Sequence, residues 1–315
     1  MTKGQKRPLW LVTGGAGFIG SNIAEQLVKM GGHVRILDNF CTGKSEHMAG
    51  FIDKVELIKG DIRNPADLKR ALKGVTYVSH QAALRSVPKS VDQPQPTNET
   101  NVTGTLNLLV EARKAGVKRV VYASSSSAYG ECKVFPQKES FTPAPVSPYA
   151  ISKLAAEYYC VLWAKAYGLE TVSLRYFNVF GPRQDPESVY SAVIPKFMDL
   201  AKQNKPLGIH WDGKQSRDFT YVGNVVQANI KAALASGVEG KVYNIGCGTS
   251  HSLLDLVHGI EKITGKKVER IFEPKRAGDV RKTYADISRA RKELCYKPET
   301  GFEAGLEKTW EYFQG

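Results

Sequence analysis

The chain has 315 residues, 42% of them hydrophobic, and carries 44 Lys and Arg against 31 Asp and Glu, a formal charge of +13. That length suits two lobes around a cleft, and no apolar run is long enough to cross a bilayer. The basic residues are dispersed, as at Lys266-Lys267, Arg276 and Arg289, with no basic tail. This argues against nucleic acid as a partner and favours a small anionic ligand in a cleft.

The opening MTKGQKRPLWLVTGG runs from its apolar stretch directly into glycines, without a small-residue cleavage site, so no export signal is expected. Cys41, Cys132, Cys160, Cys247 and Cys295 are scattered and form no CxxC pair. Neither a disulfide framework nor a metal centre is expected, and the cytoplasm is the expected compartment.

In chain order, short apolar runs at 9–14, 33–39, 55–61, 77–83, 119–125 and 171–177 read as buried parallel strands. Helical patterns separate them at 18–30, 65–72, 98–116 and 148–168, several of them ending at glycine. Strand–helix alternation of this kind predicts an α/β doubly wound parallel sheet with right-handed crossovers. After about residue 178 the rhythm breaks into segments rich in Pro, Gly and charge, as loops lining a cleft would be. The expected division is a nucleotide lobe over 1–178 with a returning segment near 220–236, and a smaller, partly interleaved substrate lobe over most of 179–315.

The first expected strand leads into Thr13-Gly14-Gly15-Ala16-Gly17-Phe18-Ile19-Gly20, which opens a helix. Gly14, Gly17 and Gly20 make a GxxGxxG variant of the dinucleotide fingerprint, in which glycines permit the turn and the approach of a pyrophosphate to the helix N-terminus. Asp38 ends the second strand, followed by Asn39, where a carboxylate would bind the adenosine ribose and repel a 2′-phosphate. NAD is therefore the expected cofactor. Asp61 and Ile62 end the third strand and are placed at the adenine edge, although Asp61 is equally suited to capping the helix of PADLKRAL. Ala82 and Ala83 end the fourth strand with side chains too small to block the cofactor.

The fifth strand ends in Ser124-Ser125-Ser126-Ser127-Ala128-Tyr129-Gly130, and SPYAISK places Tyr149 and Lys153 one helical turn apart. GxxGxxG, a serine ahead of a YG pair, and YxxxK together resemble the extended short-chain dehydrogenase/reductase family, whose sheet is a Rossmann fold. The resemblance covers nearly the whole chain. Through RYFNVFGPR (175–183) and SRDF (216–219) it extends to the nucleotide-sugar branch, particularly the 4-epimerases of UDP-sugars.

That resemblance implies Tyr149 as general base, Lys153 lowering its pKa and binding the nicotinamide ribose, and Ser125 at the reacting hydroxyl. Phe18, Ile19 and Tyr176 join the implied cofactor contacts. For the substrate it implies Arg85, Ser86 and Ser126 near the sugar, with Asn178, Arg217, Arg276 and Asp279 around the diphosphate. Val193 and Phe219 fall near the uridine. Thr283 stands at a gate that a bulky side chain would narrow, leaving room for a 2-acetamido group. Ser126 and Ser127 replace the acid pair that elimination of water would need. Asp185 in RQDP would repel a sugar carboxylate. These positions favour UDP-GlcNAc/UDP-GalNAc, with UDP-Glc/UDP-Gal alongside. The alternatives are a UDP-glucuronate 4-epimerase or decarboxylase and a non-catalytic NAD-binding scaffold. A homodimer is implied through two long helices of the nucleotide lobe, near 95–115 and from Tyr149 onward.

Overall fold

The structure, a computed structural model, describes residues 7–186, 193–275 and 280–314. Seven parallel strands make the central sheet: β1 (Leu9–Thr13), β2 (His33–Asp38), β3 (Val55–Lys59), β4 (Tyr77–His80), β5 (Arg119–Ser125), β6 (Glu170–Tyr176) and β7 (Lys241–Ile245). Their order is β7-β6-β5-β4-β1-β2-β3. The chain first winds outward from β1 through β2 to β3, then crosses back to β4 and winds the other way. The carboxyl ends of β1 and β4 therefore border a crevice, the place where open α/β sheets bind ligands. The returning segment reaches further than residue 236, because β7 pairs with β6 as the sheet's last strand.

Alternation along each strand feeds two apolar layers. Leu11, Leu37, Val78 and Val120 pack with α2 (Pro65–Leu72), α3 (Gly104–Lys114) and α4 (Pro148–Tyr167) on one face. Val12, Ile36, Val121 and Val172 face the other way, toward α1 (Phe18–Lys29) and α5 (Val222–Leu234). Covered on both sides, the strands read as near-continuous apolar runs. Just before α3 the helix carries one π turn, Glu99–Thr103.

A third apolar cluster belongs to the smaller lobe. Phe180, Phe197, Met198, Leu256, Leu306 and Trp310 fill it. Ser216–Arg217 lies between His251–Ser252 and Lys282–Thr283 in a short three-stranded sheet. Among the described residues no helix is long and apolar enough to cross a membrane.

Candidate active site

The glycine loop is built by close approach. Gly14 has φ +68°, and a Cβ there would lie 2.7 Å from the Ala82 nitrogen; a Cβ on Gly20 would lie 2.1 Å from the Gly14 oxygen. Only glycine at both positions lets the loop pass between β4 and α1. Gly17 stands at the start of α1, where no side chain caps the helix and its first turn holds no acidic residue. No acidic residue of its own first turn thus competes at the positive end of α1, at Phe18 and Ile19, which suits a diphosphate.

Asp38 is buried at the end of β2, its Oδ2 accepting from Ala16 N at 2.9 Å and its Oδ1 from Phe40 N at 2.8 Å. These bonds fix the carboxylate beside the loop and leave lone pairs for ribose hydroxyls. Asn39 Nδ2 donates to Asp61 Oδ2 at 2.8 Å. The Arg63 side chain also bonds Asp61, and holds its carboxyl down at about 2 although burial opposes it. Asp61 does not cap α2; Asn64 does, accepting from Ala66 N at 3.0 Å. The Ile62 side chain lies in the core, so only its backbone faces outward. Ala82 and Ala83 are half-buried small walls. Tyr176 is tied inward: its hydroxyl bonds Gln81 and Asn229, and burial pushes it up to about 12. Its hydroxyl is thus already engaged by two side chains. The Cβ-free loop, the uncapped helix and Asp38 together fit NAD.

Ser147 caps α4 by accepting from Ala150 N at 3.2 Å, with Pro148 at the first helical position. This fixes where Tyr149 and Lys153 emerge. Burial raises the Tyr149 phenol, while a hydrogen bond with Ser125 and the charge of Arg85 pull it down. The Lys153 Nζ donates to the Ala123 carbonyl at 2.8 Å and sits 5.2 Å from the Tyr122 ring centre. Burial brings this ammonium down to about 8. Ser125 Oγ accepts from Ser127 Oγ at 2.8 Å and from Ser127 N at 3.2 Å, so its own proton is left to donate. Ser126 opens the tight turn Ser126–Tyr129 and is partly exposed.

The sequence reading missed Asn101. From the π turn its side chain brackets Leu84, accepting from N at 2.8 Å and donating to O at 2.9 Å, and it donates to Ser152 Oγ at 2.9 Å. It joins α4 to the loop after β4. The only trace in sequence is a polar residue inside an otherwise ordinary helical pattern, and a π turn has no sequence signature to flag it.

On the substrate side, Arg85 is exposed beside the crevice. Ser86 is occupied as a helix cap, accepting from Lys89 N at 3.2 Å. Asn178, held at φ 22°, donates to Thr283 Oγ1 at 3.3 Å, and Thr283 stands opposite Arg217 in the short sheet. These three residues, distant in sequence, meet at one edge. Phe219 is buried against Phe302, ring centres 5.5 Å apart, in the third apolar cluster. Val193 begins a helix, Val193–Lys202. Arg276 and Asp279 lie outside the described residues.

The Asp185 carboxylate has a basic partner across the fold. It pairs with Lys44 Nζ at 3.2 Å, while Arg183 Nη2 binds Glu25 Oε2 at 2.6 Å. RQDP therefore clasps α1 and the loop after β2, on the cofactor side. Asp218, another residue without a predicted role, is fully buried. Its carboxylate accepts from Cys247 N at 2.7 Å, Gly248 N at 3.0 Å and Ala285 N at 3.1 Å. Burial pushes it up to about 6 against these bonds.

Residues 10–246 match the model of the NAD dependent epimerase/dehydratase family. The chain belongs to that family. It is 37% identical to the UDP-glucose 4-epimerase of Mycolicibacterium smegmatis, over 96% of this chain and 98% of the relative. It is also similar to a UDP-N-acetylglucosamine 4-epimerase from Methanobrevibacter ruminantium, solved with UDP-N-acetylmuramic acid. There the TM-score is 0.93 at 39% identity, covering 98% of this chain and 99% of the other. A UDP-glucuronic acid 4-epimerase from Bacillus cereus, solved with its UDP-sugar and NAD, gives 0.90 at 34% identity, with 97% and 99% covered. Family and fold thus agree with the loop geometry in assigning NAD as cofactor.

Proposed function

We propose that this chain, an NAD-dependent UDP-sugar 4-epimerase, interconverts UDP-GlcNAc and UDP-GalNAc and also accepts UDP-Glc and UDP-Gal. The carrying observation is the pair Tyr149 and Lys153 on the first turns of α4, with Lys153 Nζ bonded to the Ala123 carbonyl at the end of β5, two residues before Ser125. Bound NAD supplies the site with a hydride acceptor that becomes the donor in the return step. Tyr149 takes the proton of the sugar 4-hydroxyl and later returns it, and Ser125 holds the same oxygen in line. The Tyr149 phenol lies above its ordinary value in the protein alone, so added positive charge in the site is what makes it a base near neutral pH. Lys153, drawn down to about 8 by burial, would supply a cation to hold the nicotinamide ribose. The resulting 4-ketone must turn over before reduction on its opposite face. Thr283, a small side chain anchored to Asn178, leaves space at this edge for an acetamido group.

Turnover on the four UDP-hexoses tests the reading directly. Activity on UDP-GlcNAc at least equal to that on UDP-Glc is expected, and inactivity on both pairs would reject it. Tyr149→Phe is expected to lower kcat by roughly 10²–10⁴-fold while NAD still binds.

A second reading, UDP-glucuronate, deserves its own assay. Asp185 is paired with Lys44, which offsets its repulsion of a uronate, and exposed Arg85 offers a cation to receive one. Turnover of UDP-glucuronate above that of UDP-GlcNAc would move the assignment there.

We also propose a homodimer through α4. Ile151, Tyr158 and Leu162, exposed by 56%, 56% and 46%, share one helical face. A helix apolar on nearly every side is ordinarily buried, and a second copy supplies an identical face for a two-fold pairing. Light scattering should give twice the chain mass, and Leu162→Glu should halve it; a monomeric wild type overturns the pairing.

A further inference from the structure

Glu157 lies one turn beyond Lys153, so Tyr149, Lys153 and Glu157 form a single row along α4. Its carboxylate is 1% exposed. Oε2 accepts from Ser124 Oγ at 2.6 Å and from Arg175 Nε at 2.9 Å, and Oε1 accepts from Arg175 Nη2 at 2.7 Å. Arg175 in turn places its guanidinium 4.6 Å from the centre of the Tyr129 ring. The Tyr129 hydroxyl donates to Asn244 Oδ1 at 2.7 Å, and Asn244 Nδ2 donates to the Gln137 carbonyl at 2.8 Å. One buried polar row thus ties the ends of β5, β6 and β7 to the helix that carries the base. It grips the serine turn at both ends, by Ser124 directly before Ser125 and by Tyr129 at its close.

A buried ion pair is a poor source of net stability, because desolvating both charges offsets most of their attraction. What such a pair does supply is direction. A bidentate Arg–carboxylate pair accepts one geometry, and Glu157 hands that geometry to Ser124. Reaction rates are sensitive to misplacement on the order of 1 Å between reacting groups.

We propose that Glu157 is a positioning residue for the epimerisation: through Ser124 and Arg175 it sets where the Ser125 hydroxyl meets the Tyr149 phenol. This rests on the 4-epimerase reading above. Glu157 does not touch substrate or cofactor in this scheme, so its effect must pass through Ser125.

The test is a double-mutant cycle with UDP-GlcNAc and UDP-Glc as substrates. Glu157→Gln, which keeps the shape and the Ser124 contact but removes the charge, should lower kcat by about 10–100-fold. KM and NAD content should stay within about twofold of wild type. In a Ser125→Ala background the same substitution should cost less than about threefold, because the group it places is gone. An equal factor in both backgrounds, or wild-type kcat in Glu157→Gln, overturns the proposal. Should Glu157→Gln fail to fold, Ser124→Ala cuts the same linkage at its far end. It should lower kcat by about 5–20-fold in wild type and have almost no effect beside Ser125→Ala. A wild-type enzyme inactive on every UDP-sugar would instead remove the 4-epimerase reading, a result distinct from additivity in an active enzyme.

Discussion

Two buried carboxylates organise the two sides of the crevice, and they are satisfied in opposite ways. Glu157, under the serine turn, is matched by a side-chain cation, Arg175, and a hydroxyl. Asp218, in the smaller lobe, is matched chiefly by backbone N–H groups from the 247–248 turn and from Ala285. A charge neutralised by another side chain aligns strands that already exist. A charge wrapped by backbone instead ties the chain just after Arg217 to the 247–248 turn and to Ala285, beside the short sheet that holds Arg217 and Thr283. Lys153 is a third case, a buried cation whose hydrogen bond goes to one carbonyl.

Removing partners should separate these cases. The largest effect is expected for Arg175→Met, which strands the Glu157 charge: about 3–5 kcal/mol of stability by denaturant unfolding, together with a loss of kcat. Asp218→Asn should come next, at about 1–3 kcal/mol, since an amide NH₂ would face backbone N–H donors. Its kinetic signature should be a raised KM for the UDP-sugar at nearly unchanged NAD affinity. A loss of NAD binding instead would mean that Asp218 organises the cofactor lobe.

Lys153→Met should abolish most turnover yet leave the protein no less stable at pH 7. The sign follows from the depressed pKa. Folding holds the ammonium at about 8 against 10.5 for the free group, so the unfolded chain binds more protons between those values. The native state carries the desolvation cost in full below pH 8 and sheds it as pH rises to about 10.5. The stability advantage of Lys153→Met should therefore shrink across that window, and a constant difference from pH 7 to 10.5 would contradict the cause. The smallest effect is expected for Asp185→Ala. Its pair with Lys44 is partly exposed and worth about 0–1 kcal/mol, and the ratio of UDP-GlcNAc to UDP-glucuronate turnover should stay within about twofold. A large change in that ratio would return Asp185 to the sugar.

The sheet was legible because its strands are buried on both faces and punctuated by glycine, and each of the six expected strands is present within a few residues. The loop at Gly14 and the carboxylate at Asp38 were legible too, since a dinucleotide constrains local backbone that sequence spacing records. Partners across the fold were not. Phe219 and Asp185 have partners that no local pattern announces: one packs on Phe302 and the other pairs with Lys44. Asn101, Asp218 and the Glu157–Arg175 pair carry no local pattern, because each acts on residues from separate strands or loops.

By itself the sequence determined a doubly wound sheet, a glycine loop fit for NAD, and a Tyr–Lys pair on the helix after the fifth strand. These follow from periodicity and from short-range backbone demands, which a linear chain displays directly. Only the tertiary structure decided which groups touch Tyr149, where Lys153 points, and how Asn178 meets Thr283. Those are outcomes of desolvation and long-range packing, and they exist only when distant segments are brought together.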